Sequence, residues 1–221
     1  MELYIDTANL SHIRECASYG FISGVTTNPS LLAKEDPKKD VKDIIKEIYA
    51  TVGGHLSVEV NSLKTDEMLK EAEDILSWFP EATIKIPMLP SGLGAVSELA
   101  KRGIPTNVTL VFSPTQAIAA NNAGATYVSV FMGRLDDIGM NSSDVLDDIC
   151  EIWNVNEYDS SIIAASIRHP MHLLDAARSG AHISTVPYNV LMQSLKHPLT
   201  DSGVAAFVAD YEKMKAAKAG K

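Results

Sequence analysis

The chain has 221 residues, and its 19 Lys and Arg against 28 Asp and Glu give a formal net charge of -9, with hydrophobic residues at 46%. That length fits one or two domains, and α/β barrels commonly reach it as a single domain with a large core. The acid excess argues against nucleic-acid binding, which needs basic faces, and no apolar run approaches the roughly 20 residues of a membrane span.

In chain order, strand-like runs alternate with helical stretches. The N-terminus opens on the first run, residues 3–6, with no signal-peptide pattern. Further runs follow at 23–28, 56–61, 82–87, 105–110, 127–132, 162–168 and 182–187. The spacing is about 28 residues, the size of one βα repeat. Helical periodicity marks most of the segments between them, for example 41–49 and 67–78. Ser113-Pro-Thr-Gln116 reads as a capping box, and Asp36-Pro37 and His169-Pro170 place proline in a first helical turn. Gly20, Gly103, Gly124 and Gly180 stand where a helix hands over to the next strand and a left-handed residue is wanted. Eight such units predict a (β/α)8 TIM barrel, one domain over residues 1–221, with an additional C-terminal helix at about 201–218. Cys16 and Cys150 form no CxxC pair or metal spacing and fit a reducing compartment, so the expected location is the cytoplasm.

Side chains alternate across a strand, so parity separates barrel interior from helix-facing exterior. One parity is apolar: Leu3, Ile5, Val25, Leu56, Val58, Val60, Ile84, Ile86, Val108, Leu110, Val128, Val130, Ile163 and Ala165. The other carries Asp6, Thr26, Asn28, Ser57, Glu59, Asn61, Lys85, Asn107, Thr109, Ser129, Phe131, Ser166 and Arg168. A barrel interior normally takes bulky branched residues, and active sites sit at the C-terminal ends of the strands. Two readings of this polar set remain open here: a network that satisfies only itself, and a catalytic site.

Lys85 is the sharpest signal, because it lies between isoleucines with no charged sequence neighbour. Burial disfavours a charged amine, and a neutral one is a nucleophile toward a carbonyl. The bland alternative is a buried ion pair with Glu59 or Asp6. Asp6 and Glu59 share the inward parity and supply groups that move protons in Schiff-base chemistry. Thr109 and Ser129 offer hydroxyls for a catalytic water. Arg134 and Arg168 follow successive strands, with Ser166 two residues before Arg168; arginine forks there suit a phosphate. His169 and His172 have helical ligand spacing but no evident acidic partner, and no metal site is expected. Asp136 and Asp137, and Asp147 and Asp148, read as a loop and a solvated helix face.

The segments Leu3-Tyr-Ile-Asp-Thr-Ala-Asn9, Gly24-Val-Thr-Thr-Asn-Pro-Ser-Leu31, Val58-Glu-Val60, Ile84-Lys-Ile-Pro-Met88, Asn107-Val-Thr-Leu-Val-Phe112, Val128-Ser-Val-Phe-Met-Gly-Arg134 and Ala165-Ser-Ile-Arg168 resemble the small transaldolases, a group that includes fructose-6-phosphate aldolases. The resemblance runs essentially end to end. It implies a class I mechanism without metal or organic cofactor, in the non-oxidative pentose phosphate pathway. Sugar phosphates are the implied partners. By resemblance Lys85 forms the Schiff base, Asp6 is the acid/base for C3–C4 cleavage, and Glu59 and Thr109 hold the catalytic water. Asn28, Asn107 and Ser129 then bind the dihydroxyacetone portion, and Arg134, Ser166 and Arg168 the phosphate. The aldolase members carry glutamine where Glu59 stands and tyrosine where Phe131 stands, so the chain resembles the transaldolase type. It departs at Val130, where proline is frequent. Small relatives form rings of five or ten subunits, so a homo-oligomer is expected.

Overall fold

The computed structural model describes residues 1–219. Eight parallel strands close into a barrel in sequence order: β1 (Glu2–Asp6), β2 (Gly24–Thr26), β3 (His55–Glu59), β4 (Thr83–Pro87), β5 (Thr106–Val111), β6 (Tyr127–Phe131), β7 (Ser161–Ala165) and β8 (Ile183–Val186). The helices are α1 (Leu10–Ser18), α2 (Pro29–Leu32), α3 (Val41–Val52), α4 (Thr65–Trp78), α5 (Pro90–Lys101) and α6 (Pro114–Asn122). They continue with α7 (Met132–Asp137), α8 (Ser142–Asn156), α9 (Pro170–Ser179), α10 (Tyr188–Ser194) and α11 (Pro198–Ala219). The predicted barrel with its added C-terminal helix is therefore the fold. Among the described residues no helix is long and apolar enough to cross a membrane.

Local chemistry sets the element ends. Asn9, Asp40, Ser113 and His169 accept main-chain N–H bonds as N-caps, and Pro114 and Pro170 occupy the first turns of α6 and α9. Gln116 reaches back to the Phe112 N–H, one residue before the expected capping-box partner. Asp36-Pro37 does not start a helix. Asp36 instead forms a turn, accepting from Lys38 N–H, and Asp40 caps α3. Gly180 shows what the helix-to-strand glycines do: it closes α9 at φ +91°, a conformation that costs other residues a steric clash.

The main core lies between barrel and helices. Ile5, Val25, Leu56, Ile84, Ile86, Val108, Val128 and Val130 are all buried there. Two phase changes correct the parity reading. Leu110 adopts a left-handed φ of +61° at an irregularity between Val108 and Val111, so Val111, not Leu110, packs against the helices. Ser129 and Phe131 register with Ile163 and Ala165, so these two face the barrel interior, while Ile162 and Ala164 take the helix side. Ser166, at φ +58°, then resets the phase as the chain leaves β7. A left-handed φ at a non-glycine residue is uncommon and leaves no mark in the hydrophobic pattern.

The barrel floor is filled by Tyr4, Ile163 and Ile183, with Tyr127 against them. His55 stacks on Tyr4 with ring centroids 4.9 Å apart and meets Tyr127 edge-on at 4.6 Å. Its Nε2 lies 2.7 Å from Ser57 Oγ. Burial pushes the His55 imidazole down from 6.5 to about 4. Between those values the unfolded chain binds a proton that the folded chain refuses. His55 therefore contributes stability above pH 6.5 that is lost as pH falls toward 4, about 3 kcal/mol in all. His55→Asn, which cannot titrate, is expected to flatten the acid side of a melting-temperature-against-pH profile. An unchanged slope would assign the acid sensitivity elsewhere.

Candidate active site

Strand register brings the polar residues together at the C-terminal end of the barrel. Asp6 pairs with Thr26, Glu59 with Lys85, and Lys85 in turn with Asn107, so these residues stand side by side facing inward. A cavity of about 210 Å³ opens above them, lined by Asp6, Lys85, Thr109 and Ser129. Phe131, Asn28 and Arg134 form further walls, and Ser166 and Arg168 close one side.

Lys85 is 5% exposed. Its amine donates to the Thr27 carbonyl at 2.9 Å and lies 3.0 Å from Glu59 Oε2. The bland alternative is thus realised as a contact, but it coexists with a cavity. A purely structural pair has no need of the open space beside the amine. Glu59 does not line this cavity but reaches it through its contact with the Lys85 amine; it borders another cavity of about 810 Å³, under the segment 29–41. That larger space is walled by Val41, Ile44, Ile75 and Trp78, with Lys39, Lys70 and Asp74 exposed at its rim. It offers no buried nucleophile, so the chemistry points to the smaller cavity.

Asp6 is partly buried at the cavity wall, and desolvation pushes its carboxyl above the ordinary 3.8, with Lys85 and the Thr26 hydroxyl pulling the other way. Thr26 Oγ1 donates to Asp6 Oδ1 at 2.8 Å and lies 2.5 Å from Thr185 Oγ1. Thr109 Oγ1 is buried with no hydrogen-bond partner among the described residues. An orphaned hydroxyl beside Lys85 is costly unless something polar visits it.

Asn107 does not line the cavity. Its amide donates to Ser57 Oγ at 3.0 Å and accepts from Ser129 Oγ at 2.7 Å, one layer below. Ser129, which does reach the cavity, is oriented by that bond. Asn28 Oδ1 caps α2 by accepting from Leu31 N–H, which leaves its NH₂ group to face the cavity.

At the mouth, the Arg134 guanidinium lies over the Phe131 ring, 5.2 Å from its centroid, and Phe131 meets Phe112 edge-on. Arg168 pairs with Asp137 Oδ2 at 2.9 Å, with both side chains exposed. Gly133, at the start of α7, donates its N–H to the Ser166 carbonyl at 3.0 Å. A Cβ there would collide with that carbonyl oxygen and sit 2.6 Å from the Arg168 side chain, so only glycine allows this approach.

Sequence reasoning passed over Thr26 and Thr185 as site residues. Ile183 and Thr185 alternate on β8, and sorting that run by parity would have found Thr185. It also read His172 as lacking an acidic partner. Asp136 is that partner, 2.6 Å away, and Nδ1 of the same ring accepts from the Arg168 N–H. Both ring nitrogens are thereby engaged in hydrogen bonds.

Comparison with known proteins agrees in sequence and in fold. A family model described as transaldolase/fructose-6-phosphate aldolase matches residues 3–219. A probable transaldolase from Alkaliphilus metalliredigens is 55% identical over 212 residues, covering 96% of this chain and 98% of the relative. Another from Moorella thermoacetica is 54% identical over 215 residues, covering 97% and 99%. A solved structure assigned as a fructose-1,6-biphosphate aldolase from Coccidioides immitis superposes with a TM-score of 0.58 at 17% identity. It covers 84% of this chain and 73% of that one, a likeness of fold alone.

Proposed function

Because this chain belongs to the transaldolase/fructose-6-phosphate aldolase family, we propose that it transfers a dihydroxyacetone unit between sugar phosphates. The donor is sedoheptulose 7-phosphate or fructose 6-phosphate, and the acceptor erythrose 4-phosphate or glyceraldehyde 3-phosphate. The setting is the non-oxidative pentose phosphate pathway of the cytoplasm, which suits the two free buried cysteines. The observation that carries this reading is a buried lysine paired with a carboxylate and opening onto a cavity rimmed by two arginines.

In this reading Glu59 takes a proton from Lys85, and the neutral amine adds to the C2 carbonyl of the ketose. The proton on Glu59, passed through a water also held by Thr109, then leaves with the C2 oxygen as water, and an iminium forms. Asp6 removes the proton from the C4 hydroxyl. The C3–C4 bonding electrons move into the iminium, leaving an enamine as the first aldehyde departs. C3 of the enamine attacks the acceptor aldehyde, Asp6 returns its proton to the new C4 oxygen, and hydrolysis frees the product and Lys85. Ser129, set by Asn107, and the Asn28 NH₂ group bind the dihydroxyacetone hydroxyls. Arg134, Ser166 and Arg168 receive the phosphate.

Transfer requires that the enamine outlive release of the first aldehyde. Phe131 lines the cavity and offers no proton, so the intermediate waits for an acceptor. Phe131→Tyr adds a hydroxyl donor and is expected to raise acceptor-free cleavage of fructose 6-phosphate by about tenfold to a hundredfold, at or below the lower end of the roughly 10²–10⁴-fold typical of acid–base help, because the hydroxyl is not optimally placed. Transfer should fall or stay level. The assay couples released glyceraldehyde 3-phosphate to NADH oxidation. Fast acceptor-free cleavage by the unmodified protein, comparable to its transfer rate, would establish the aldolase reading instead.

We further propose that the protein assembles through α11. No residue of that helix is buried, although Leu199, Val204, Phe207, Val208, Tyr211 and Met214 recur at helical spacing along it. Phe207 is 78% exposed. A stripe of that length is covered when it docks on another copy, in rings of five or ten by family resemblance. Phe207→Asp is expected to shift sedimentation toward smaller species. The same assembly size in the variant would remove α11 from the interface.

A further inference from the structure

The phosphate-binding reading leaves unexplained how residues 166–168 are held. Arg168 itself cannot fix them, because its guanidinium and Asp137 are both exposed, and such pairs hold little. The main chain is fastened instead. Gly133 N–H holds the Ser166 carbonyl from the α7 side. From the α9 side, the Arg168 N–H points at His172 Nδ1, 3.2 Å away.

That contact determines the state of the ring. A main-chain N–H can only donate, so Nδ1 carries the lone pair and the imidazole proton sits on Nε2. Nε2 lies 2.6 Å from Asp136 Oδ2, while Asp136 Oδ1 accepts the Ser142 N–H at 3.0 Å. Burial works against the Asp136 charge, yet the bonds from Ser142 and His172 outweigh it and hold the carboxyl below its ordinary value. An anionic Asp136 accepts at both oxygens and so selects the same tautomer. The other groups facing the ring are His169, with centroids 3.9 Å apart, whose Nδ1 accepts from His172 N–H, and the main chain of Arg168. His172 is buried, unlike the arginine it supports.

We propose that His172 and Asp136 are a positioning pair that sets the main chain at Arg168, and thereby the preference of the site for phosphorylated over unphosphorylated substrates. This rests on residues 166–168 receiving the phosphate. His172→Phe keeps an aromatic ring but has no acceptor for the Arg168 N–H. His172→Asn has an Oδ1 that reaches the place of Nδ1. Asp136→Asn, at a half-exposed position on α7 where the core is not disturbed, presents an NH₂ group either to Nε2–H or to Ser142 N–H, so one donor faces another.

The experiment measures kcat/KM for erythrose 4-phosphate and for erythrose as acceptors, with fructose 6-phosphate saturating as donor and released glyceraldehyde 3-phosphate as the readout, in these three variants and in Arg168→Ala. The ratio of the two values is expected to fall roughly tenfold in His172→Phe and in Asp136→Asn, through KM for the phosphorylated acceptor rather than kcat, and to return largely in His172→Asn. Equal losses on both acceptors, or no rescue by asparagine, would make the pair merely structural and overturn the proposal. Should His172→Phe not fold, an unchanged ratio in Asp136→Asn overturns it equally. A lowered ratio in Arg168→Ala alone leaves the phosphate site standing and the positioning pair refuted. An unchanged ratio in Arg168→Ala refutes the phosphate reading beneath both.

Discussion

Lys85→Arg is expected to lower transfer by about 10⁴-fold or more, the scale seen when an enzyme loses its nucleophile, and to leave no borohydride-trapped adduct. Arginine is the informative replacement because of what surrounds the amine. Lys85 donates to the Thr27 carbonyl and pairs with Glu59 in an enclosed place. Truncation to alanine would leave that carboxylate unpaired, and breaking a buried pair costs about 3–5 kcal/mol, enough to confuse lost chemistry with lost fold. A guanidinium keeps a charge for Glu59 and a donor for the carbonyl, but it does not form an imine with the ketose. The measurement is protein mass after reduction with borohydride in the presence of fructose 6-phosphate, alongside circular dichroism. A trapped adduct on the variant would mean that another lysine is the nucleophile. Loss of activity with unfolding would leave only the structural ion pair.

The architecture was legible in the sequence wherever a local rule decides it. Gly20, Gly103, Gly124 and Gly180 all adopt the left-handed φ expected between helix and strand, from +70° to +93°. The eight apolar runs appear as eight strands because burial on the helix side demands a residue such as Ile84 or Val128 at every second position. What escaped were features fixed by partners distant in the chain. Ala165-Ser-Ile-Arg168 reads as an unbroken alternation, yet Ser166 turns left-handed because its carbonyl is held by Gly133 N–H and the Arg168 N–H by His172. Likewise Asp136 and His172 are 36 residues apart, and nothing in either local pattern announces the other. The candidate site follows the same division. Lys85, Asp6 and Glu59 stood out because a charge on a buried strand breaks the pattern, whereas Thr26 and Thr185 are ordinary strand residues whose bond to each other only the closed barrel creates.

Asp6→Asn is expected to separate the two halves of the reaction, lowering turnover by about 10²–10⁴-fold while Lys85 still forms its imine. The argument starts from where Asp6 sits. It ends β1 beside Thr26, shares the cavity with Lys85, and burial holds its carboxyl above the ordinary carboxylate value. A carboxylate made more basic suits a group that first takes the C4 hydroxyl proton and later returns it. Asparagine keeps the shape and a hydrogen bond to Thr26 but accepts no proton, so cleavage stops after dehydration. Borohydride trapping with fructose 6-phosphate should therefore catch the intact ketose phosphate on Lys85 in the variant, in place of the dihydroxyacetone fragment. Stability carries a second signature. Because the folded-state value is raised, Asp6 costs stability progressively as pH climbs from the unfolded value of 3.8 through the folded one, in full above it, and nothing is lost below 3.8. Asp6→Asn should then melt at a higher temperature than the parent near neutral pH, with the gap closing as pH falls toward 4. A trapped fragment rather than the whole sugar would show that some other group takes the C4 proton, and a variant less stable at neutral pH would show that the Lys85 charge outweighs burial at Asp6.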